Sequence, residues 1–206
     1  MQGSAKHQRL WRIFCAVELP EQVRTRVAEH ISRLRETAPA YGVRWERAEK
    51  LHITLKFLGE IEEERAAQVV SAAERAAKKA QPFEIAVEEA GAFPPRGAPR
   101  VLWLGLTDAA KQLALLQRRL EDELACEMFA REARSFHPHL TIARLQRTPA
   151  AEARTLIEAH KELEFKATGF AVTELVVMRS ELSSSGSRYT ALARHGLGAR
   201  KTEARG

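Results

Sequence analysis

"FHPHLTIARL", residues 136–145, sets two histidines and a threonine into a run that is otherwise largely apolar. In an extended strand residues two apart share a face, so His139 and Thr141 point one way while Leu140 and Ile142 point the other. The same arrangement occurs earlier in the chain. "HITLKF" begins at His52 and puts His52 and Thr54 on one side, with Ile53, Leu55 and Phe57 on the opposite side. Each strand therefore carries an imidazole beside a hydroxyl, and in each half of the chain such a strand is followed by a helical stretch. This repeat decides the fold reading: two similar lobes, facing each other, would bring the two strands together.

Outward from these strands, "LWRIFCAVEL" (10–19) has the aromatic and β-branched content of a strand. Pro20 then opens a helix whose Val23, Val27, Ile31 and Leu34 recur at helical spacing. After a turn at 39–42 come "VRW" and the strand "KLHITLKFLGE", and residues 61–80 read as a long Ala-rich helix with acids early and lysines late. "PFEIAVEEAGAF" and "RVLWLGL" are strands on either side of the "PPRGAP" loop. Asp108 is placed to cap a helix running through Leu113, Leu116, Leu120 and Leu124, and Pro149 opens another that ends near residue 162. The closing segments, on either side of "SSSGS", read as a hairpin. Strands and helices mix without regular alternation, so the class is α+β with antiparallel sheets rather than a doubly wound parallel sheet. No linker divides the chain, which gives an extension at 1–9, a single domain at 10–194 and a basic tail at 195–206 expected to be disordered.

The totals agree with a soluble domain: 206 residues, 45% hydrophobic and 29% charged, enough to bury a core. Lys and Arg number 33 against 27 Asp and Glu, a net charge of +6, which favours an anionic partner such as nucleic acid. Part of the excess lies in "RHGLGARKTEARG", where Glu203 is the sole acid. Two cysteines, Cys15 and Cys126, make no disulfide framework, are expected to be buried and inert, and fit a reducing cytoplasm. No apolar run reaches 18 residues and Glu18 interrupts any signal-type segment, so neither export nor membrane insertion is expected.

Two histidines suit a reaction in which one proton is removed and another delivered, because imidazole titrates near neutrality. Two threonine hydroxyls can donate to the oxygens of an anion held between them, which points to phosphorus. No nucleophile motif, Walker loop or paired-carboxylate arrangement competes. A metal site built on His137, His139 and His52 is the alternative, but no carboxylate or cysteine motif accompanies them and the threonines would be left unexplained. His137 instead reads as a substrate-edge group at the entrance to the strand. Arg144 could neutralise a phosphate, although strand parity puts it opposite His139 unless the strand twists or ends first. Lys56 has the parity of His52, with a solvated lysine as the plain alternative. Trp45, Phe93 and Trp103 are candidates for base stacking or for core, Arg96 and Arg100 for backbone contact or solvent, and Tyr189 for packing.

The chain resembles the LigT-like RNA 2′,3′-cyclic phosphodiesterases of the two-histidine phosphoesterase superfamily, marked by a duplicated His-x-Thr-x motif. The likeness runs from about residue 11 to 193 and includes "RIFCAVELP", "VRW", "LHITLKFLGE", "AFPPRGAPRVLWLGL", "FHPHLTIAR" and the pattern Ser180, Leu182, Gly186, Tyr189, Leu192. The resemblance implies two pseudo-symmetric lobes of antiparallel sheet with outer helices around a central groove. It further implies opening of an RNA 2′,3′-cyclic phosphate to a 2′-phosphate without metal or other cofactor. By it His52 donates a proton to the departing 3′-oxygen, His139 draws one from water, and Thr54 and Thr141 hold the nonbridging oxygens, with Arg144 and His137 as further substrate contacts. Joining of tRNA halves through a 2′-5′ bond is the associated second activity. The expected partner is RNA with cyclic phosphate ends, including tRNA fragments, acted on by a monomer. A non-catalytic binder of RNA ends and a phosphodiesterase for a small cyclic nucleotide are the rival readings.

Overall fold

The computed structural model describes residues 9–95, 97–183 and 186–198. Nine strands and four α-helices run in the order β1 (Leu10–Glu18), α1 (Glu21–Thr37), β2 (Val43–Trp45), β3 (His52–Glu62), α2 (Ala66–Lys78), β4 (Phe83–Phe93), β5 (Val101–Thr107), α3 (Gln112–Cys126), β6 (His139–Leu145), α4 (Ala150–Glu162), β7 (Thr168–Val172), β8 (Glu174–Ser183) and β9 (Gly186–Gly196) among the described residues. They form two antiparallel sheets, ordered β3-β1-β8-β9 and β2-β6-β5-β4-β7. Helix α2 packs on β1, β8 and β9 with α3 against it, while α4 packs on β4 with α1 beside it. The α+β class with two antiparallel sheets and outer helices is the architecture expected from the sequence.

Alternation along β1 shows how the sheets are used. Ile13, Cys15 and Val17 enter the main core, whereas Phe14 and Ala16 face the other way and join Val176, Met178 and Tyr189 in a smaller cluster. That second face borders the groove described below. In α1 the predicted Val23, Val27, Ile31 and Leu34 are buried, and His30 is buried with them. Asp108 does cap α3, from outside it: its Oδ2 accepts the Leu113 amide at 2.6 Å.

Two boundaries differ from the sequence reading. The helix expected over 61–80 begins only at Ala66, because β3 continues to Glu62 and a 3-10 turn at Glu63–Arg65 intervenes. Pairing of Trp11 with Ile61 and Leu10 with Glu62 takes residues that local composition assigns to helix. Residues 195–198, expected to open the basic tail, are part of the fold as well. His195 and Gly196 finish β9, Leu197 is buried in the core, and the Leu197 and Gly198 amides donate to the Thr173 and Ala77 carbonyls. Residues 1–8, Arg96, 184–185 and 199–206, on which the remaining extension, loop, turn and tail readings fall, lie outside the described residues.

The feature that positions the site is a matched pair of β-bulges. In β3, Ala16 faces Thr54 and the preceding residue of β1, Cys15, faces Lys56, so Leu55 is extra. In β6, Trp103 faces Thr141 and Leu102 faces Ala143, so Ile142 is extra. Each bulge falls directly after the motif threonine and reverses the parity of the residues that follow. Leu55 and Lys56 are consecutively buried, as are Ile142 and Ala143. The fifth residue after each histidine, Phe57 and Arg144, is thereby turned to the side of the histidines.

Reversed parity sends Lys56 inward, contrary to the exposed or groove-facing lysine expected from simple alternation. Its Nζ lies 3.0 Å from Glu121 of α3 and donates to the Ala130 carbonyl at 2.8 Å, with both charged side chains buried. Glu121 also accepts the Glu132 amide and the Gln117 side chain. The ion pair thus ties the bulge of β3 to α3 and to the loop that follows it. Glu121→Ala, which strands the ammonium in the core, is expected to cost about 3–5 kcal/mol in urea unfolding, with the double variant Lys56→Met/Glu121→Leu recovering most of it. Equal loss in the single and double variants would show that packing rather than charge is responsible.

A second buried polar pair lies where α1 meets α4. His160 Nε2 donates to the Trp103 carbonyl at 3.0 Å, which leaves its Nδ1 to accept from His30 Nε2 at 3.2 Å. Burial, then the neighbouring His160 and Arg33, push the His30 imidazole down from 6.5 to about 4. Unfolded His30 takes up a proton below about pH 6.5 that the folded ring refuses until about pH 4, so stability falls as pH drops through that interval. The expected loss reaches no more than about 3 kcal/mol. His30→Gln should flatten the fall in urea midpoint between pH 7 and pH 4.5; an unchanged slope would assign it to other groups.

Candidate active site

Strand β3 at the edge of one sheet and β6 of the other approach each other, and a groove of about 580 Å³ opens along them. Its walls include His52 and Thr54 from β3 and His139 and Thr141 from β6, so all four motif side chains meet in one cavity. Both rings are held identically. His52 Nδ1 lies 2.7 Å from the Lys50 carbonyl and His139 Nδ1 lies 2.7 Å from the His137 carbonyl. A carbonyl can only accept, so Nδ1 carries the hydrogen in each ring and Nε2 is left for the groove.

Aromatic side chains fix the rings from the sides. His52 contacts Phe14 at 4.8 Å between centroids and Tyr189 edge-on at 5.3 Å, while His139 meets Phe93 edge-on at 5.1 Å. Burial pushes the His52 imidazole below its ordinary 6.5; the Lys50 carbonyl and the Glu46 and Glu18 carboxylates pull the other way, and Arg144 adds to the lowering. Burial likewise raises the Tyr189 phenol.

Phe57 and Arg144 complete the symmetry imposed by the bulges. Phe57, expected from alternation to face the core, lines the groove and is 46% exposed, with the Arg12 guanidinium 5.1 Å from its ring centre. Arg144 reaches the groove, where its Nε lies 3.5 Å from Glu46. The basic lining residues Arg12, Arg44, Arg47, Lys50 and Arg144 outweigh the single acid Glu46, so the groove attracts anions.

Other sequence candidates separate here. His137 offers its carbonyl to His139, and its exposed imidazole is not part of the groove lining. Trp45 lines the groove; Trp103 lies behind Phe93, their centroids 5.1 Å apart. Tyr189, expected only to pack, does both, contacting Phe14 and forming part of the wall. Cys15 is buried, with its thiol pushed up to about 12 by burial, whereas Cys126 is exposed rather than buried. Among the described residues no three His, Cys, Asp or Glu side chains gather around a common point suited to a metal ion. No described helix is long and apolar enough to cross a membrane. Arg12, Arg44 and Lys50 escaped the sequence reading because nothing local separates a groove arginine or lysine from a solvated one.

Comparisons with known proteins converge on one group. The model of the 2′-5′ RNA ligase superfamily matches residues 23–183. An RNA 2′,3′-cyclic phosphodiesterase from Methanothermobacter thermautotrophicus is 34% identical over 182 residues, 87% of this chain and 95% of that protein. Among solved structures, TT0787 of Thermus thermophilus superposes with a TM-score of 0.73 at 27% identity, covering 91% of this chain and 98% of that one. Escherichia coli LigT complexed with 3′-AMP gives a TM-score of 0.68 at 28% identity over 92% and 99% of the two chains.

Titration of His52 in the free protein, followed by the NMR shift of its ring proton, is expected to have its midpoint below 6.5. Tyr189→Ala, which admits water to the ring, should move that midpoint upward. A midpoint at or above 6.5 in the parent would show that burial does not dominate at this ring.

Proposed function

The chain belongs to the 2′-5′ RNA ligase superfamily, and from that premise we infer that it is an RNA 2′,3′-cyclic phosphodiesterase working through two imidazoles. The observation that carries this reading is the duplicated anchor: two Nδ1 atoms committed to carbonyls two residues behind them, on strands from different sheets, leave two Nε2 atoms free on the walls of one groove.

With a cyclic phosphate between the strands, the Thr54 and Thr141 hydroxyls donate to its nonbridging oxygens. His139 Nε2 takes a proton from a water whose oxygen attacks phosphorus. The bond from phosphorus to the 3′-oxygen breaks, and His52 Nε2 delivers its proton to that oxygen. A 2′-phosphate and a 3′-hydroxyl result, and the two rings, having exchanged protonation states, reset through solvent. Arg144 balances the charge that builds on the phosphoryl oxygens while Glu46 holds its guanidinium. An RNA 5′-hydroxyl in place of water gives a 2′-5′ bond by the same movements, the ligase chemistry of the superfamily.

All of these steps use groups of the chain itself, so the reaction needs no metal. RNA ends with cyclic phosphates, including those of cleaved tRNA, are the substrates of this reading, and the two free cysteines suit a reducing cytoplasm.

The depressed His52 sets the pH dependence. The acid must be protonated in the free enzyme, so the lowered His52 is expected to shift the pH optimum of kcat/KM toward acid. A bound phosphate anion favours the imidazolium, so the optimum of kcat should lie higher. His52→Ala and His139→Ala are each expected to lower turnover of a 2′,3′-cyclic-phosphate oligonucleotide by about 10² to 10⁴, assayed in excess chelator with the phosphate position in the product identified. Full activity in both variants, or binding of the RNA end without product by the parent, would overturn the reading. Loss of parent activity in chelator would place a metal in the mechanism.

A further inference from the structure

The groove does not end at the histidines. A second cavity of about 620 Å³ adjoins it and shares Arg47, Lys50, Ser187 and Tyr189 with it. At their junction Gly186 has a positive φ of +110°. A Cβ placed there would lie 3.1 Å from Arg44 Nη2 and 3.8 Å from Lys50 Nζ, so two cations converge over one bare stretch of backbone. Neither cation has a carboxylate within ion-pair distance among the described residues, and the same holds for Arg188 further along the second cavity. Nearby acids are largely committed: Glu46 to Arg144 at 3.5 Å and Glu181 to Arg179 at 2.8 Å, with Glu49 the remaining acid on that wall.

Like charges brought together without a counterion are held apart from their lowest energy, and an anion placed between them removes the repulsion. The reacting phosphate is already matched by the histidines, the threonines and Arg144, which leaves Arg44 and Lys50 for a second anion. We propose that Arg44 and Lys50, over Gly186, form a second anion site that binds the phosphodiester on the 5′ side of the terminal nucleotide. This rests on the phosphodiesterase reading and goes further by naming what the protein recognises: the end of a strand, not a free cyclic nucleotide. Position supports the 5′ side. Lys50 lies two residues before His52 and its carbonyl anchors that ring. The Lys50 side chain lines the same groove as His52, so the phosphate next to the ribose whose 3′-oxygen His52 protonates is the one assigned to it. The second cavity, with Arg47 and Arg188, continues the track for the nucleotides before it.

Three substrates test the site: a nucleoside 2′,3′-cyclic phosphate, the same nucleoside with a 5′-phosphate, and a dinucleotide ending in the cyclic phosphate. The 5′-phosphate alone is expected to raise kcat/KM about 10- to 100-fold, as one charge-assisted contact does. Arg44→Ala should remove most of that advantage, chiefly through KM. Arg44→Lys should keep part of it, and Arg44→Ala/Lys50→Ala should flatten the salt dependence on the dinucleotide by about one to two in log–log slope. Equal kcat/KM for the substrates with and without the 5′-phosphate overturns the second site while the phosphodiesterase reading stands. Absence of turnover on all three removes both.

Discussion

A strand has a side-chain period of two, and no regular strand can present a histidine, a threonine two residues on and the fifth residue after the histidine on one face. The extra residue after each threonine, Leu55 in β3 and Ile142 in β6, resolves that conflict. It lets each strand bury two consecutive side chains and still bring Phe57 or Arg144 round to the groove. The pseudo-symmetry of the molecule is therefore more than a repeated tripeptide. The backbone irregularity is repeated at the same offset, and it yields an aromatic on one side and a guanidinium on the other.

The bulge in β3 has an energetic consequence that its counterpart in β6 avoids. Where β6 turns Ala143 inward, β3 turns in Lys56, whose ammonium must be matched by the Glu121 carboxylate and the Ala130 carbonyl. The ion pair joins the strand that carries His52 to α3 and its following loop. Carbonyl anchors on both imidazoles act at shorter range. Each ring is fixed from the residue two before it, Lys50 at the end of a 3-10 turn (Ala48–Lys50) and His137 in the loop before β6, so ring orientation depends on the segments that lead into the two strands.

What was legible in the sequence followed local rules. The buried face of α1, the strands of the two motifs, the hairpin and the α+β class all came from periodicity and turn chemistry, and the two histidines and threonines from their repetition. Failures trace to tertiary effects. Ile61 and Glu62 lie in a helix-like composition but pair with β1; Leu197 hides in a basic segment yet reaches the core. Strict alternation misplaces Phe57, Lys56 and Arg144, because the bulges overrule it. The His137 carbonyl holds the His139 ring, a contact for which the identity of the side chain carries no signal.

By itself the sequence determined the chemical inventory: two imidazole and hydroxyl pairs on strands of known parity, a positive surplus and enough apolar periodicity to build two sheets. Convergence of the pairs on one cavity, the phase change after each threonine and the gathering of Arg12, Arg44, Lys50 and Glu46 around it were decided only by tertiary structure. The physical reason is range. Parity, capping and turn formation act within a few residues, whereas ring approach, bulge placement and charge convergence depend on which strand edges meet, and that is settled by packing the whole core.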